Sequence, residues 1–200
     1  MSIRRVVDVT VASAAILATL PVTMAIGATI ALRDGRPVLF RQKRVSAGGR
    51  LFHVVKFRTM RDGRDAAGQL LPDAVRMTKL GRLLRATRLD ELPQLWNILS
   101  GSMSLIGPRP LLPETIMQAG DKGWLRCAIR PGLTGWAQVN GNALLSDADK
   151  IALDLWYIAN RSLSLDLRIL GRTLLVAARG ERPNDLSIRR AHEGDPHWRS

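Results

Sequence analysis

The stretch Val9–Leu32, VTVASAAILATLPVTMAIGATIAL, runs for 24 positions without a charged residue. Wound as a straight helix it is about 36 Å long, and the hydrocarbon core of a bilayer is about 30 Å thick. A secretory leader fits poorly, because its apolar centre usually holds only about 7–15 residues. Arg4 and Arg5 precede the run, and Arg33, Arg36, Arg41, Lys43 and Arg44 follow it. Positive flanks favour the cytoplasmic side. A straight span sends one of these flanks to the opposite side, whereas a bent segment that enters and leaves by one face satisfies both. Pro21, near the middle, brings no backbone donor and clashes with the preceding turn, so a bend is expected there. Taken alone, the segment also allows a Pro-kinked spanning helix. Asp8 is close enough in sequence to Arg4 and Arg5 to pair with them at the interface.

Outside this run the chain is basic. Its 200 residues hold 30 Lys and Arg against 17 Asp and Glu, a formal charge of +13. That length allows one domain, or one domain with a small appendage, and enough chain to bury a core. The charge points to an acidic partner: nucleic acid, an anionic membrane or a phosphorylated substrate. The single Cys127 excludes an internal disulfide framework and a cysteine zinc site. His53, His192 and His197 are too scattered for a histidine-rich metal site. Aromatic residues make up only 4% of the chain, which leaves little material for stacking single-stranded nucleic acid.

Val38–Arg44 and Leu51–Met60 read as two strands joined by the turn Ser46-Ala47-Gly48-Gly49. Together they form a hairpin with Lys56 and Arg58 near its end. Arg61–Asp73 reads as a mobile loop. Thr78–Arg88 reads as a short basic helix, and a second helix starts near Asp90, since Pro93 is tolerated in a first turn. Ser102–Pro110 passes from strand to loop, and Leu111–Ile129 holds one or two short helices. Arg130-Pro131-Gly132 and Asn140-Gly141 are turns. Ser146-x-x-Asp149 resembles a capping box and opens a helix to Asn160. Ser164 is expected to cap a last helix to Ala178, with Leu167, Leu170 and Leu174 on one face and Arg168, Arg172 and Arg179 beside it. Basic amphipathic helices of this kind suit an anionic membrane surface or a core.

Two features can carry chemistry. Asp90-Glu91 lies among cations: Arg85 and Arg88 precede it, Lys56 and Arg58 come from the hairpin, and Arg109 follows. A carboxylate so surrounded stays ionised at neutral pH. It can then hold Mg²⁺, attack phosphorus or form ion pairs, and the dipeptide alone does not choose among these. In Gly107-Pro108-Arg109-Pro110 two prolines fix the backbone on either side of one guanidinium. That suits either a preorganised fork for phosphate oxygens or a structural turn.

The order of the motifs is more specific. It runs Lys56-Phe57-Arg58-Thr59-Met60, Thr78-x-x-Gly81-x-x-Leu84-Arg85, Leu89-Asp90-Glu91-Leu92-Pro93-Gln94-Leu95-Trp96-Asn97, Ser102-Met103-Ser104-Leu105-Ile106-Gly107-Pro108-Arg109-Pro110, and Arg130-Pro131-Gly132-Leu133-Thr134-Gly135-Trp136-Ala137-Gln138-Val139-Asn140-Gly141. This arrangement resembles the bacterial sugar transferase family, the small monotopic phosphoglycosyl transferases, over roughly Arg4 to Ala178. The resemblance implies transfer of a sugar 1-phosphate from a UDP-sugar to a polyprenyl (undecaprenyl) phosphate, with release of UMP. This is the first membrane step of bacterial polysaccharide or glycoconjugate synthesis. It implies Asp90 as the nucleophile of a covalent phosphosugar intermediate and as a Mg²⁺ ligand, with Glu91 assisting. Lys56, Arg85 and Arg109 then correspond to the family's phosphate-binding cations. Arg58, Arg88, Pro108, Pro110, Gln138 and Asn140 complete the expected substrate-binding set.

The fold expected is α+β and α-rich. Residues 1–36 form a re-entrant membrane helix-break-helix with its break at Pro21. Residues 37–180 form a compact cytosolic catalytic domain with a β-hairpin and amphipathic interfacial helices, and residues 181–200 form a loose C-terminal tail. The chain is expected on the cytoplasmic face of the bacterial inner membrane. Its partners are the UDP-sugar donor, the polyprenyl phosphate acceptor and the anionic membrane surface; no nucleic acid is expected, and homo-oligomerisation is left open. The rival readings are a membrane-tethered basic binder of nucleic acid or lipid phosphate, and a glycosyl transferase that releases UDP. Two positions depart from the family pattern. Leu20 precedes Pro21 where anchors often carry Ser, leaving Thr19 or Thr23 to satisfy freed backbone groups. Asn142 follows Gly141 where relatives often carry Arg.

Overall fold

The computed structural model describes residues 2–193; His197 and the end of the expected tail lie outside them. The described residues form an α-rich α+β fold with ten α-helices and two two-stranded sheets. They divide into two compact units, Met1–Gln42 with His53–Leu99, and Lys43–Phe52 with Ser100–Ser200. The hairpin of β1 (Leu39–Val45) and β2 (Leu51–Phe57) contributes its base to the first unit and its tip to the second.

In the first unit, α1 spans Ile3–Arg33, and the Ser2 hydroxyl caps it by accepting from the Arg5 N–H. It is helical throughout, so the break expected at Pro21 does not interrupt it. Pro21 removes only the one bond that would reach Leu17, while the Ala-rich run on either side keeps its own ladder. Thr19 does not replace that bond: its hydroxyl donates back to the Ala15 carbonyl at 2.7 Å. Both ends of α1 are tied into the unit. Arg5 donates to the carbonyls of Ile98 at 2.6 Å and Leu99 at 2.8 Å, while Ile26 and Ile30 pack with Phe57 and Leu84. Between the ends, Leu17 is 72% and Met24 66% exposed.

The unit continues with α2 (Asp73–Arg76), α3 (Lys79–Ala86), a 3-10 turn at Leu89–Glu91 and α4 (Gln94–Leu99). The stretch expected as a mobile loop is folded on itself. Arg64 bridges Leu70, and the Asp65 carboxylate accepts from the N–H groups of Ala67 and Gln69, both at 2.9 Å.

The second unit pairs β3 (Ser104–Ile106) in parallel with β4 (Gly132–Thr134), Ser104 opposite Gly132. The crossover carries α5 (Pro113–Gln118) and α6 (Gly120–Arg126). After β4 come α7 (Trp136–Val139), α8 (Asp147–Ala159), α9 (Leu163–Arg179) and α10 (Asp185–Glu193). Their core includes Trp136, Val139, Leu153, Tyr157, Leu165 and Ile169. Ser146 caps α8 as expected. Ser162, not Ser164, caps α9: the helix begins at Leu163, so only Ser162 is placed to accept from the Leu165 N–H. The expected loose tail instead carries α10. Asn184 caps its start, Ile188 and Ala191 supply an apolar face at helical spacing, and His192 meets Asp149 at 2.7 Å. One isoleucine and one alanine in a polar stretch were too faint a signal in sequence.

Candidate active site

The Asp90 region is assembled from the backbone outward. Thr78 caps α3 by accepting from the Gly81 N–H at 2.8 Å. A Cβ at Gly81 would fall 2.0 Å from the Thr59 carbonyl oxygen, so only glycine lets α3 lie directly on that backbone. One turn later Leu84 is buried, and Arg85 Nε reaches Thr59 Oγ1 at 3.0 Å. The spacing Thr78-x-x-Gly81-x-x-Leu84-Arg85 is therefore a cap, a close approach, a core contact and a cation in turn. Arg88 then takes left-handed backbone, φ 56°, which is disfavoured for a non-glycine residue by about 1–2 kcal/mol. This sharp turn delivers Asp90 and Glu91 into the 3-10 turn. On the other side Asn97 clamps β2, accepting from the Val55 N–H at 3.1 Å and donating to the His53 carbonyl at 2.8 Å. Lys56, the next residue along β2, meets Glu91 Oε1 at 2.5 Å.

Asp90 and Glu91 are both buried, 7% and 9% exposed. Burial pushes the Asp90 carboxyl above the ordinary aspartate range. Lys56 pulls it down, Glu91 adds to the rise, and Arg85 and a backbone hydrogen bond pull it down again. The cations thus act in the expected direction, but desolvation outweighs them. The ion-pair reading of the dipeptide applies to Glu91. Thr59 and Asn97 were not singled out in sequence, although both lie inside the quoted motifs; an Asn within the apolar helical run Leu95–Leu99 was the available signal.

The structure brings Lys56, Arg85, Asp90 and Glu91 together. Arg58 is turned elsewhere: its guanidinium donates to the carbonyls of Asp34 and Gly35, each at 2.5 Å, and fastens the end of α1. Arg88 is half-buried beside the dipeptide in sequence. Among the described residues no group of three or more His, Cys, Asp and Glu gathers as a metal cluster. Mg²⁺ usually takes only one or two carboxylates, with phosphate oxygens and water completing its shell, so the Asp90 carboxylate fits such a site.

The other expected residues lie in the second unit. Gly107 and Gly132 face each other so closely that a Cβ at Gly132 would fall 2.1 Å from the Gly107 nitrogen. Gly107 N–H donates to the Thr134 carbonyl and Gly132 N–H to the Pro108 carbonyl, both at 2.9 Å. The two glycine-proline motifs are thereby locked backbone to backbone. Pro108 is buried, and Arg109 and Pro110 are half-buried. Half-buried Arg44, not anticipated, is close enough to Arg109 for their repulsion to lower its pKa further, after burial; Glu114 opposes this. Gln138 and Asn140 are buried; both ends of the Asn140 amide are engaged, while Gln138 Oε1 has no hydrogen-bond partner. Gln138 Nε2 donates to the Leu133 carbonyl at 2.9 Å; Asn140 donates to the Trp136 carbonyl and accepts from Arg172, both at 2.7 Å. Asn142, at the position that departs from the family pattern, donates to Glu181 at 2.5 Å.

The model of the family described as bacterial sugar transferase matches residues 1–180. The chain is 45% identical to the uncharacterized sugar transferase EpsL of Bacillus subtilis (strain 168), covering 87% of this chain and 86% of that protein. It is 38% identical to the undecaprenyl-phosphate glucose phosphotransferase of Komagataeibacter xylinus, covering 86% of this chain and 35% of that protein. It is 41% identical to the UDP-N-acetylgalactosamine-undecaprenyl-phosphate N-acetylgalactosaminephosphotransferase of Aeromonas hydrophila, covering 86% of this chain and 43% of that protein. The chain thus spans less than half of these two longer relatives. With the family's ordered motifs folded into one buried acidic site and one locked glycine-proline loop, and with a match across nine-tenths of its length, the chain belongs to the bacterial sugar transferase family.

Proposed function

We propose that this chain transfers a sugar 1-phosphate from a UDP-sugar to undecaprenyl phosphate, releasing UMP. The observation that carries this is Asp90: a buried carboxyl beside Lys56, Glu91 and Arg85, in a chain whose relatives are named for this transfer. An Asp90 oxygen attacks the phosphorus that bears the sugar, a P–O bond to UMP breaks, and an aspartyl phosphosugar forms. An oxygen of undecaprenyl phosphate then attacks the same phosphorus, and the carboxylate leaves. Covalent catalysis splits one difficult transfer into two displacements, so a soluble and a lipid substrate use one carboxylate in turn.

Lys56 and Arg85 oppose the repulsion between a carboxylate nucleophile and an anionic donor. Glu91 holds Lys56 in place and stands ready to handle a proton. Arg109, fixed by Pro108 and Pro110, receives donor phosphate, and the locked segment with Gln138 and Asn140 keeps that loop rigid. Bound at Asp90, Mg²⁺ supplies charge neutralisation for the diphosphate.

The membrane reading has its own support. The helix α1 is long and apolar enough to cross a bilayer. Its Arg5 end and its Ile26–Ile30 end both attach to the first unit, which favours entry and exit by one face, the cytoplasmic one by the charge of the flanks. In α9, Leu163, Leu167 and Leu174 are 56–73% exposed along one stripe, with Arg168 and Arg179 nearby, as an interfacial helix requires.

The test is a panel of UDP-sugars, including UDP-glucose and UDP-N-acetylgalactosamine, offered with short-chain undecaprenyl phosphate analogues to the purified enzyme. UMP in step with lipid-linked sugar is expected. Release of UDP would replace the reading with plain glycosyl transfer. Donor alone should leave a phosphosugar mass on Asp90, and normal turnover without that adduct under acid quench would remove the two-step route.

A further inference from the structure

Arg126 ends α6 and is buried, 4% exposed, and its guanidinium divides its donors between two acceptors. Nε and Nη2 both bond Asp154 Oδ2, the former at 2.9 Å, and Nη2 also donates to the Arg109 carbonyl at 3.0 Å. Asp154 lies on α8 and is itself 1% exposed. A buried pair of this kind is a weak source of stability, because desolvation consumes much of the attraction, and apolar replacements of similar volume often serve as well. The bond to Arg109 is what an apolar pair could not supply. It falls on the one residue of the Gly107–Pro110 loop whose side chain carries charge. Pro108 and Pro110 bring no N–H of their own, so the loop depends on outside donors to hold its carbonyls. It also has something to resist: Arg44 lies close enough for the two guanidiniums to repel.

We infer that Arg126, oriented by Asp154, is a positioning residue that fixes the backbone of Arg109 and so aims its guanidinium at the donor diphosphate. This rests on the proposed function for the identity of the ligand. Arg126 touches no reacting atom; it acts through Arg109.

The experiment compares the full chain with Arg126→Lys, which keeps a cation for Asp154 but loses the forked donor set. An Arg126→Met/Asp154→Leu double variant guards against mere unfolding. Donor KM and kcat for UMP release are measured alone and in an Arg109→Ala background, with Tm followed in parallel. The expected result for both is a donor KM raised on the order of tenfold with kcat little changed. In the Arg109→Ala background neither should add a further rise. Wild-type KM in either folded variant, or effects that multiply with Arg109→Ala, would overturn the inference.

A readout without turnover separates this from the function itself. Phenylglyoxal labelling of Arg109 is followed by peptide mass spectrometry with and without UDP. UDP should shield Arg109 in the wild type and not in Arg126→Lys. Shielding with no UMP release from any donor would refute the function and leave the positioning intact. An Arg109 that UDP never shields in the wild type would overturn the positioning.

Discussion

In the proposed mechanism Asp90 gains reactivity at the expense of stability. Its carboxyl is raised above the ordinary value of 3.8 chiefly by burial, so the fold favours its protonated form. The sign follows from linkage. That stabilisation is fully present below the unfolded value and is lost as pH rises through the raised one; above that, a buried charge remains. Asp90→Asn should therefore abolish UMP release yet raise Tm at neutral pH by a few degrees, about 2–4 °C for each kcal/mol in a chain of this size. The Tm difference should shrink when the melt is repeated at acid pH. A variant less stable than wild type at pH 7 would mean that the carboxylate is held by more than it costs to bury. Lys56→Met tests the opposing charge. It removes the largest influence lowering the Asp90 pKa and leaves Glu91 without its partner at 2.5 Å. The acid limb of kcat/KM should move to higher pH, with activity at pH 7 down by about tenfold or more. An unmoved limb would take Lys56 out of the electrostatics of the nucleophile.

At the scale of elements, two helical glycines make opposite predictions. A Cβ at Gly81 would meet the Thr59 carbonyl at 2.0 Å, a backbone atom that cannot step aside. Gly81→Ala should push α3 off the strand end, lose about 1–3 kcal/mol or more, and take Arg85 from Thr59. Gly171, inside α9, has open space where a Cβ would go, so Gly171→Ala should gain about 0.5–1 kcal/mol in a urea melt with turnover unchanged. Equal effects at the two sites would undo the packing account of the Thr78–Arg85 motif. What was legible in sequence followed from local rules: the 24-residue apolar run, the hairpin with its glycine turn, the Ser146 cap, and the grouping of Lys56 and Arg85 with Asp90-Glu91. What was not legible depends on groups far apart in sequence. Asn97 clamps His53 and Val55, and Arg126 finds Asp154 on another helix; no spacing rule links such pairs. Arg58 looked like one more cation beside the site, but carbonyls at the end of α1 claim it. At Asp90 burial outweighs the cations and raises the pKa, and burial is the quantity a one-dimensional reading estimates least well.

At the scale of the molecule, the proposed membrane association turns on the fate of the apolar helix. Thirty-one helical residues reach about 46 Å, more than enough to cross a bilayer. Crossing would carry the Arg5 end away from α4 while Arg58 holds the other end at Asp34 and Gly35. It would break two charge-assisted hydrogen bonds, at 2.6 and 2.8 Å, each worth about 1.5–3 kcal/mol. It would also expose the buried Asp8 and Ala12 and send Arg4 and Arg5 to the unfavoured side. Shallow insertion keeps all of these contacts and still gives the exposed middle, with Leu17 and Met24, to lipid. Single cysteines at Ser2 and Gly35, in a background where Cys127 is replaced by Ala, should therefore behave alike in intact cells. Both should resist a membrane-impermeant maleimide added outside, and both should react once the cells are opened. Labelling of Ser2→Cys from outside, with Gly35→Cys protected, would show a true span and require the Arg5 contacts to be absent in the membrane. As an internal check, Arg5→Ala should loosen the amino-terminal end, raising amide exchange across Asp8–Ala12 while leaving Ile26–Ile30 protected by Phe57 and Leu84.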